Sequence, residues 1–342
     1  MIPLFRKRQK EDETSPFFLE NGGALLEELM ASFGGRYENP IRTFSLKELL
    51  GATTDFTERV VLRDSGCMFR GFLGEKQILV KRFCAYEDIS PHVFRGPIRD
   101  IAVSSQMSHV KNILKLRGCC LELKFPALVY ECSATQLLAD LLYYPDDEKL
   151  LSWKSRMQIA KGIANAITYL HNAFATPIVY RNLKPSTVIL DKDGTPKLFD
   201  FSLSVKLPPG KSQVEDVVMG TWGFVDPEHL ESGIVTEKTD VYSMGVLLLV
   251  LLTGKEAMCK NHGGEKVDIV DYVKYYIDKN QSNNILDPRI WTEGNVMQDK
   301  QFQAFLDLAM MCTQTKAPNR PDMIQVAKEL CKIENCANHG QH

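Results

Sequence analysis

A chain of 342 residues with 44% hydrophobic side chains can bury more core than most single domains, and its length suits two abutting lobes. Lysine and arginine total 41 against 43 acidic residues, giving a formal charge of -2 and a pI near 6.4, so no cationic excess exists to neutralise phosphates and nucleic-acid binding is excluded. The nine cysteines are odd in number and lack CxxC spacing, which argues against a disulfide framework or a zinc site and for a reducing compartment.

Residues 1–16 form a polar tail in which Arg6, Lys7, Arg8 and Lys10 precede Glu11, Asp12 and Glu13. No apolar signal stretch follows, and position 2 is Ile2 and not the glycine that myristoylation requires. Residues 17–44 hold a helix and a linker. After Asn21 the residues Ala24, Leu25, Leu26, Leu29, Met30 and Phe33 recur at helical spacing. That spacing predicts an amphipathic helix capped by Asn21 and stopped at Gly34 and Gly35. A second helix starts at Ser45, whose hydroxyl and Glu48 form a capping box. Between residues 60 and 132 the runs GCMFRGF, QILVKRF and ALVYEC read as strands, with a turn at Gly74 and Glu75 and one interrupting helix. Past Trp153 the pattern becomes helical, with Met157, Ala160, Ile163, Ala164, Ile167 and Leu170 on one face. Further helices are predicted over 239–253, 267–278, 302–312 and 321–333. The longest apolar run, 241–252, is too short to span a bilayer. The expectation is an α+β, bilobal chain. A small antiparallel sheet with one main helix occupies 45–132, a larger helical lobe 133–335, and a tail 336–342. It is expected to be cytoplasmic, with any membrane contact made through partners.

Several short motifs stand in the order that the protein kinase fold uses: GTWGFVDPE at 220–228, TDVYSMGVLLLVLLTGK at 239–255, LDPRI at 286–290 and NRPDMIQV at 319–326. Four in sequence leave little room for chance, and the chain resembles a protein kinase over residues 45–335. The resemblance implies that Asp240 holds the catalytic-loop backbone and that Glu228 pairs with Arg320 beneath the activation segment, while Arg181 and Lys184 keep their usual places. The phosphate-transferring residues depart from the pattern. Aligned through FRG at 69–71, the glycine-rich loop has Val61 and Arg63 at its first two glycine positions, and only Gly66 remains. Lys81 in ILVK occupies the nucleotide-lysine position, and Asp100 stands where its glutamate partner belongs, one methylene too short to reach unless the helix moves inward. In YRNLKPSTVILD at 180–191, Asn182 replaces the catalytic base, and an amide cannot take a proton near neutral pH. Thr187 replaces a magnesium-binding asparagine and is a poorer ligand for a hard octahedral ion. Tyr180 replaces a supporting histidine. Asp200 keeps the metal carboxylate position, but Ser202 replaces the glycine of that motif. No catalytic set is intact; no cofactor is required, with weak ATP and magnesium binding at most, and no metal is assigned.

Among plant receptor-like cytoplasmic kinases, FFLENGGALLEELMASF, IRTFSLKELLGATTDF, RGCCLE, NAITYLHNAF at 165–174 and MIQVAKELCKIE look most like the ZED-related pseudokinases, subgroup XII. That group resembles wall-associated kinases without ectodomain or membrane span. The resemblance implies an adaptor that binds the leucine-rich repeats of a ZAR-type NLR immune receptor, together with receptor-like cytoplasmic kinase partners and pathogen effectors. The partner-binding candidates are Leu25, Leu26, Leu29, Met30 and Phe33 of the first helix, and Lys211, Ser212 and Gln213 of the activation segment. A weakly active or atypical serine/threonine kinase is the alternative.

Overall fold

The hairpin predicted at Gly74 is the seed of the small lobe. In the computed structural model, residues 15–33, 41–60, 66–83, 95–132, 136–144, 150–261, 263–291 and 299–336 are described. A six-stranded sheet contains β1 (Arg42–Thr43), β2 (Arg59–Val60), β3 (Cys67–Leu73), β4 (Lys76–Arg82), β5 (Leu116–Cys120) and β6 (Ala127–Glu131), in the order β1-β5-β6-β4-β3-β2. Leu73 faces Lys76 across the β3–β4 turn, where Gly74 takes a φ of 61° that costs other residues strain. The sheet is antiparallel except where β1 runs parallel to β5.

Helices cover the sheet. The first, α1 (Pro16–Phe33), and α3 (Gly96–Met107) lie on one side, and α2 (Leu46–Thr53) lies on the other. The capping box at Ser45 and Glu48 forms as the sequence predicts. Gly71 is required there, because a Cβ at that position would stand 2.6 Å from Ala52 O of α2. Between sheet and α3 lie Met68, Leu79, Ile98, Ile101, Ala102, Leu128 and Tyr130. Between sheet and α2 lie Phe44, Leu49, Ile78, Val80, Ala127 and Val129. Burial on both faces explains why β4 reads Ile-Leu-Val without alternation.

The large lobe is helical: α4 (Leu138–Tyr143), α5 (Trp153–Asn172), α6 (Pro227–Ser232), α7 (Glu237–Thr253), α8 (Ile269–Asp278), α9 (Asp299–Cys312) and α10 (Met323–Cys336). Helix α7 is buried along nearly its whole length, as an all-round apolar helix must be, and α5, α9 and α10 wrap it in one core. The buried Arg156 guanidinium is satisfied by Leu151 O, Leu251 O and Asp287.

Several predicted boundaries move: α7 starts at Glu237, α9 starts at Asp299, and α10 spans Met323–Cys336. Helix α1 starts at Pro16, before Asn21, so Asn21 is an interior residue whose amide serves a tertiary contact. The helix expected over 267–278 begins at Ile269, because Asp268 caps it by accepting from Asp271 N at 2.8 Å. Among the described residues no helix is long and apolar enough to cross a membrane.

Candidate functional site

The cleft between the lobes is organised around one lysine. Lys81 leaves β4 fully buried and places its Nζ 2.7 Å from Asp100 Oδ2 and 2.6 Å from Asp200 Oδ1. The shorter side chain at Asp100 does reach, because α3 lies far enough inward to supply the missing length, the condition the sequence sets. Asp100 Oδ1 also accepts from Phe201 N at 2.9 Å, Ser104 Oγ at 3.1 Å and Tyr130 Oη at 3.4 Å. Burial pushes the Lys81 ammonium down, but the two carboxylates outweigh it and hold its pKa above the ordinary value. Burial raises the Asp100 carboxyl, with Asp200 adding to that and Lys81 opposing it. Ser202 Oγ donates to Asp200 Oδ1 at 2.5 Å, a contact the glycine of the usual motif cannot make.

The catalytic loop keeps its frame. From α7, the buried Asp240 accepts from Tyr180 N at 2.7 Å and Arg181 N at 2.8 Å, and contacts His171 Nε2 at 2.8 Å. Tyr180 packs edge-on against Phe201, with ring centroids 5.4 Å apart, and donates its hydroxyl to Phe199 O. Tyrosine thus fills the place that the resemblance gives to a supporting histidine. Burial holds its hydroxyl well above the ordinary value, so it remains a donor.

The reactive positions point elsewhere. The Asn182 amide makes only a long contact, 3.4 Å, to Asp200 O. Thr187 Oγ1 lies 3.0 Å from Asn182 O and 2.9 Å from Lys184 O, buried. Its proton is directed at loop carbonyls. Lys184 Nζ donates to Thr221 Oγ1 at 2.7 Å. These residues fit a magnesium–nucleotide group poorly. Of the two metal-binding positions one is now a threonine whose hydroxyl is turned to loop carbonyls, and the Oδ1 of Asp200 already carries an ammonium and a hydroxyl. Val61 and Arg63 lie outside the described residues. Gly66, the remaining loop glycine, has φ 146°, and a Cβ there would meet Arg82 O at 2.3 Å; its need for glycine comes from the neighbouring strand.

Arg181 ties this loop to the activation segment. Its Nη1 bonds Asp216 Oδ2 at 2.5 Å, and its Nη2 donates to Val217 O at 2.6 Å and reaches His229 Nε2 at 3.3 Å. His229 Nδ1 donates to Ile234 O, leaving Nε2 as acceptor. Burial and then Arg181 push the His229 pKa down, consistent with a neutral ring. Arg320 does not pair with Glu228. Its fork grips Asp226 at 2.6 and 2.7 Å, while Glu228 accepts Ala317 N at 2.8 Å. Asp226, as the cap of α6, faces inward to Arg320, and Glu228, one turn position on, faces the 317–319 turn.

The partner candidates divide. Leu25 and Leu29 are buried against the small lobe and Phe33 is half-buried, whereas Leu26 and Met30 are exposed, about 100° further round the helix. Leu19, 74% exposed, extends that outer stripe two helical turns earlier. Lys211, Ser212 and Gln213 are exposed beside a strand, Gln213–Glu215, that pairs with Ile234–Thr236. Sequence reasoning missed the exposed Val217, Val218, Trp222 and Leu230 of the same region, although consecutive apolar residues in a polar loop are a readable signal. Trp222 and Met258 line a groove of about 300 Å³ with Tyr143, Tyr144, Lys184 and Thr221.

The protein kinase domain family matches residues 65–332. The chain is 41% identical to the non-functional pseudokinase ZED1 of Arabidopsis thaliana, over 92% of this chain and 96% of that protein. This chain belongs to the ZED-related kinase group of the protein kinase family. Within the group it is 37% identical to the non-functional pseudokinase ZRK2, over 96% of this chain and 93% of that one. It is also 38% identical to the serine/threonine-protein kinase ZRK1, over 96% and 95%, both from Arabidopsis thaliana. ZED-related relatives thus carry both kinds of name, and the cleft geometry has to decide for this member.

Proposed function

We propose that this chain is a catalytically impaired kinase-fold adaptor of plant innate immunity, linking an NLR receptor to the kinases or effectors sensed in the cytoplasm. The observation that carries the loss of catalysis is the loop from Asn182 to Thr187: an amide stands at the base position, and the threonine hydroxyl is bonded to loop carbonyls. Removing a positioned base alone costs roughly 10²–10⁴-fold in rate. Residues that act as a unit fail together, so the second loss compounds it only in part. The intact Asp240 frame and the Arg320–Asp226 pair support a role that needs the shape and not the chemistry.

The outer stripe of α1 and the apolar part of the activation segment are the surfaces that suit this role. On this reading Leu19, Leu26 and Met30 meet the leucine-rich repeats of a ZAR-type receptor, as a helix meets an apolar groove. The segment from Lys211 to Trp222 meets a receptor-like cytoplasmic kinase that an effector has modified. The adaptor works in the cytoplasm and reaches the plasma membrane through such partners. A Leu26→Glu, Met30→Glu variant tests the receptor arm. It should keep the parent melting temperature and lose co-precipitation of the repeats; unchanged co-precipitation contradicts the assignment.

A second reading, a weakly active serine/threonine kinase, is favoured by one observation: Lys81, Asp100 and Asp200 remain in contact. Binding of Mg²⁺-ATP at micromolar concentration, read as a thermal shift that Lys81→Met abolishes, would support it.

A further inference from the structure

Helix α1 is fastened to both lobes. At its start, Ser15 Oγ donates to Glu122 O at 2.9 Å. Six residues later the buried Asn21 amide donates to Leu121 O at 3.0 Å and Leu123 O at 2.8 Å, the chain between β5 and β6. Asparagine is a poor interior helix residue, and these two carbonyls are what it serves. In the middle, Leu25 and Leu29 pack with Ile98, Ile101 and Ala102 of α3, the helix that carries Asp100. At its end α1 touches the large lobe. Phe33 borders both the small-lobe and the large-lobe cores and meets Phe174 edge-on at 5.6 Å. The Lys206 ammonium donates to Ser32 O and lies 5.5 Å from the Phe33 ring centroid. Lys206 belongs to the short strand Val205–Lys206, just past Asp200 at the root of the activation segment.

We infer that α1 is an internal strut: one helix, about 27 Å long at 1.5 Å per residue, that holds α3 and the two lobes closed around Lys81 and so presents the activation segment without bound nucleotide. A working kinase opens and closes its lobes in each turnover, on a microsecond-to-millisecond scale. A helix pinned at Leu121 and Leu123 in one lobe and at Phe174 and Lys206 in the other opposes that motion. The three-way contact of Lys81, Asp100 and Asp200 supplies the same closure from inside the cleft. The strut uses the inner face of α1, so it stands whether or not the outer face meets a receptor.

Amide hydrogen exchange on the full chain tests the strut. The Phe33→Ala, Lys206→Met variant removes the large-lobe fastening and should raise exchange tenfold or more in α3 and in residues 199–207, while α9 and α10 keep parental protection. Phe33→Leu, which keeps an apolar plug, should stay within threefold of the parent. In the parent, millimolar Mg²⁺-ADP should leave α3 protection unchanged. Unaltered exchange in α3 in the double variant overturns the strut, as does an equal rise in α9 and α10, which would mark a general loss of stability. Nucleotide-driven tightening of α3 in the parent overturns it as well, since the lobes would not then be closed already.

Discussion

Lys81 bonds two carboxylates that lie on different elements, Asp100 on α3 and Asp200 at the start of the activation segment. In this setting the ammonium is a structural counter-charge. Its removal by Lys81→Met leaves two buried carboxylates near one another, and breaking a buried pair costs about 3–5 kcal/mol. The melt should fall by several degrees, and Asp100→Leu added to Lys81→Met should recover part of the loss; an unchanged melt for Lys81→Met would show that the lysine carries no structural load. Asp287 has the opposite titration. Burial raises its pKa, but Arg289 and Arg156 outweigh it and hold the carboxyl below the ordinary carboxylate range. A depressed folded pKa contributes stability that is whole above the unfolded value, near 4, and is lost as the pH falls through the folded one. Asp287→Asn should therefore be destabilising by about 3 kcal/mol or more at neutral pH, with the gap to the parent closing below about pH 4. Thermal melts from pH 7 to pH 3 measure both, and a gap that stays constant with pH contradicts the pairing.

At the scale of elements, the two faces of α1 predict different failures. Leu29→Glu buries a charge in the small-lobe core and should lower the melting temperature by several degrees, whereas the outer-face changes should not. Replacing Lys211, Ser212 and Gln213 with a Gly/Ser stretch alters an exposed edge and should leave the melt unchanged while weakening capture of a modified partner kinase; unchanged capture removes that edge from the recognition surface. What the sequence made legible was local. The Ser45–Glu48 capping box, the Gly74 turn and the helical periodicity past Trp153 are each written within a few residues of where they act. The reach of Asp100 to Lys81 was not legible, since it depends on where α3 is set by packing across the sheet. The partner of Arg320 is not legible either, since two carboxylates two residues apart compete and the capping of α6 turns Asp226 inward. Asn21 looked like a cap because the tertiary carbonyls that use its amide lie a hundred residues away.

For the molecule as a whole, the two lobes, their shared lysine centre and the intact Asp240 frame keep a kinase shape, while an amide, Asn182, stands at the position of the base. Tyr180 and Ser202 fit this account: each replaces a residue of the working pattern and each makes a hydrogen bond that stiffens the cleft, to Phe199 O and to Asp200. Asp216 on Arg181 fixes the activation segment with a carboxylate already in the chain, so a charge-assisted hold is present without a modification. The most direct measurement of the central claim is transfer of labelled γ-phosphate by the purified chain, to itself and to a generic protein substrate, beside an Asn182→Asp, Thr187→Asn variant. The parent should show incorporation at background and the variant a measurable gain; transfer by the parent at an ordinary kinase rate, on the order of 1–100 per second, would overturn the loss of catalysis.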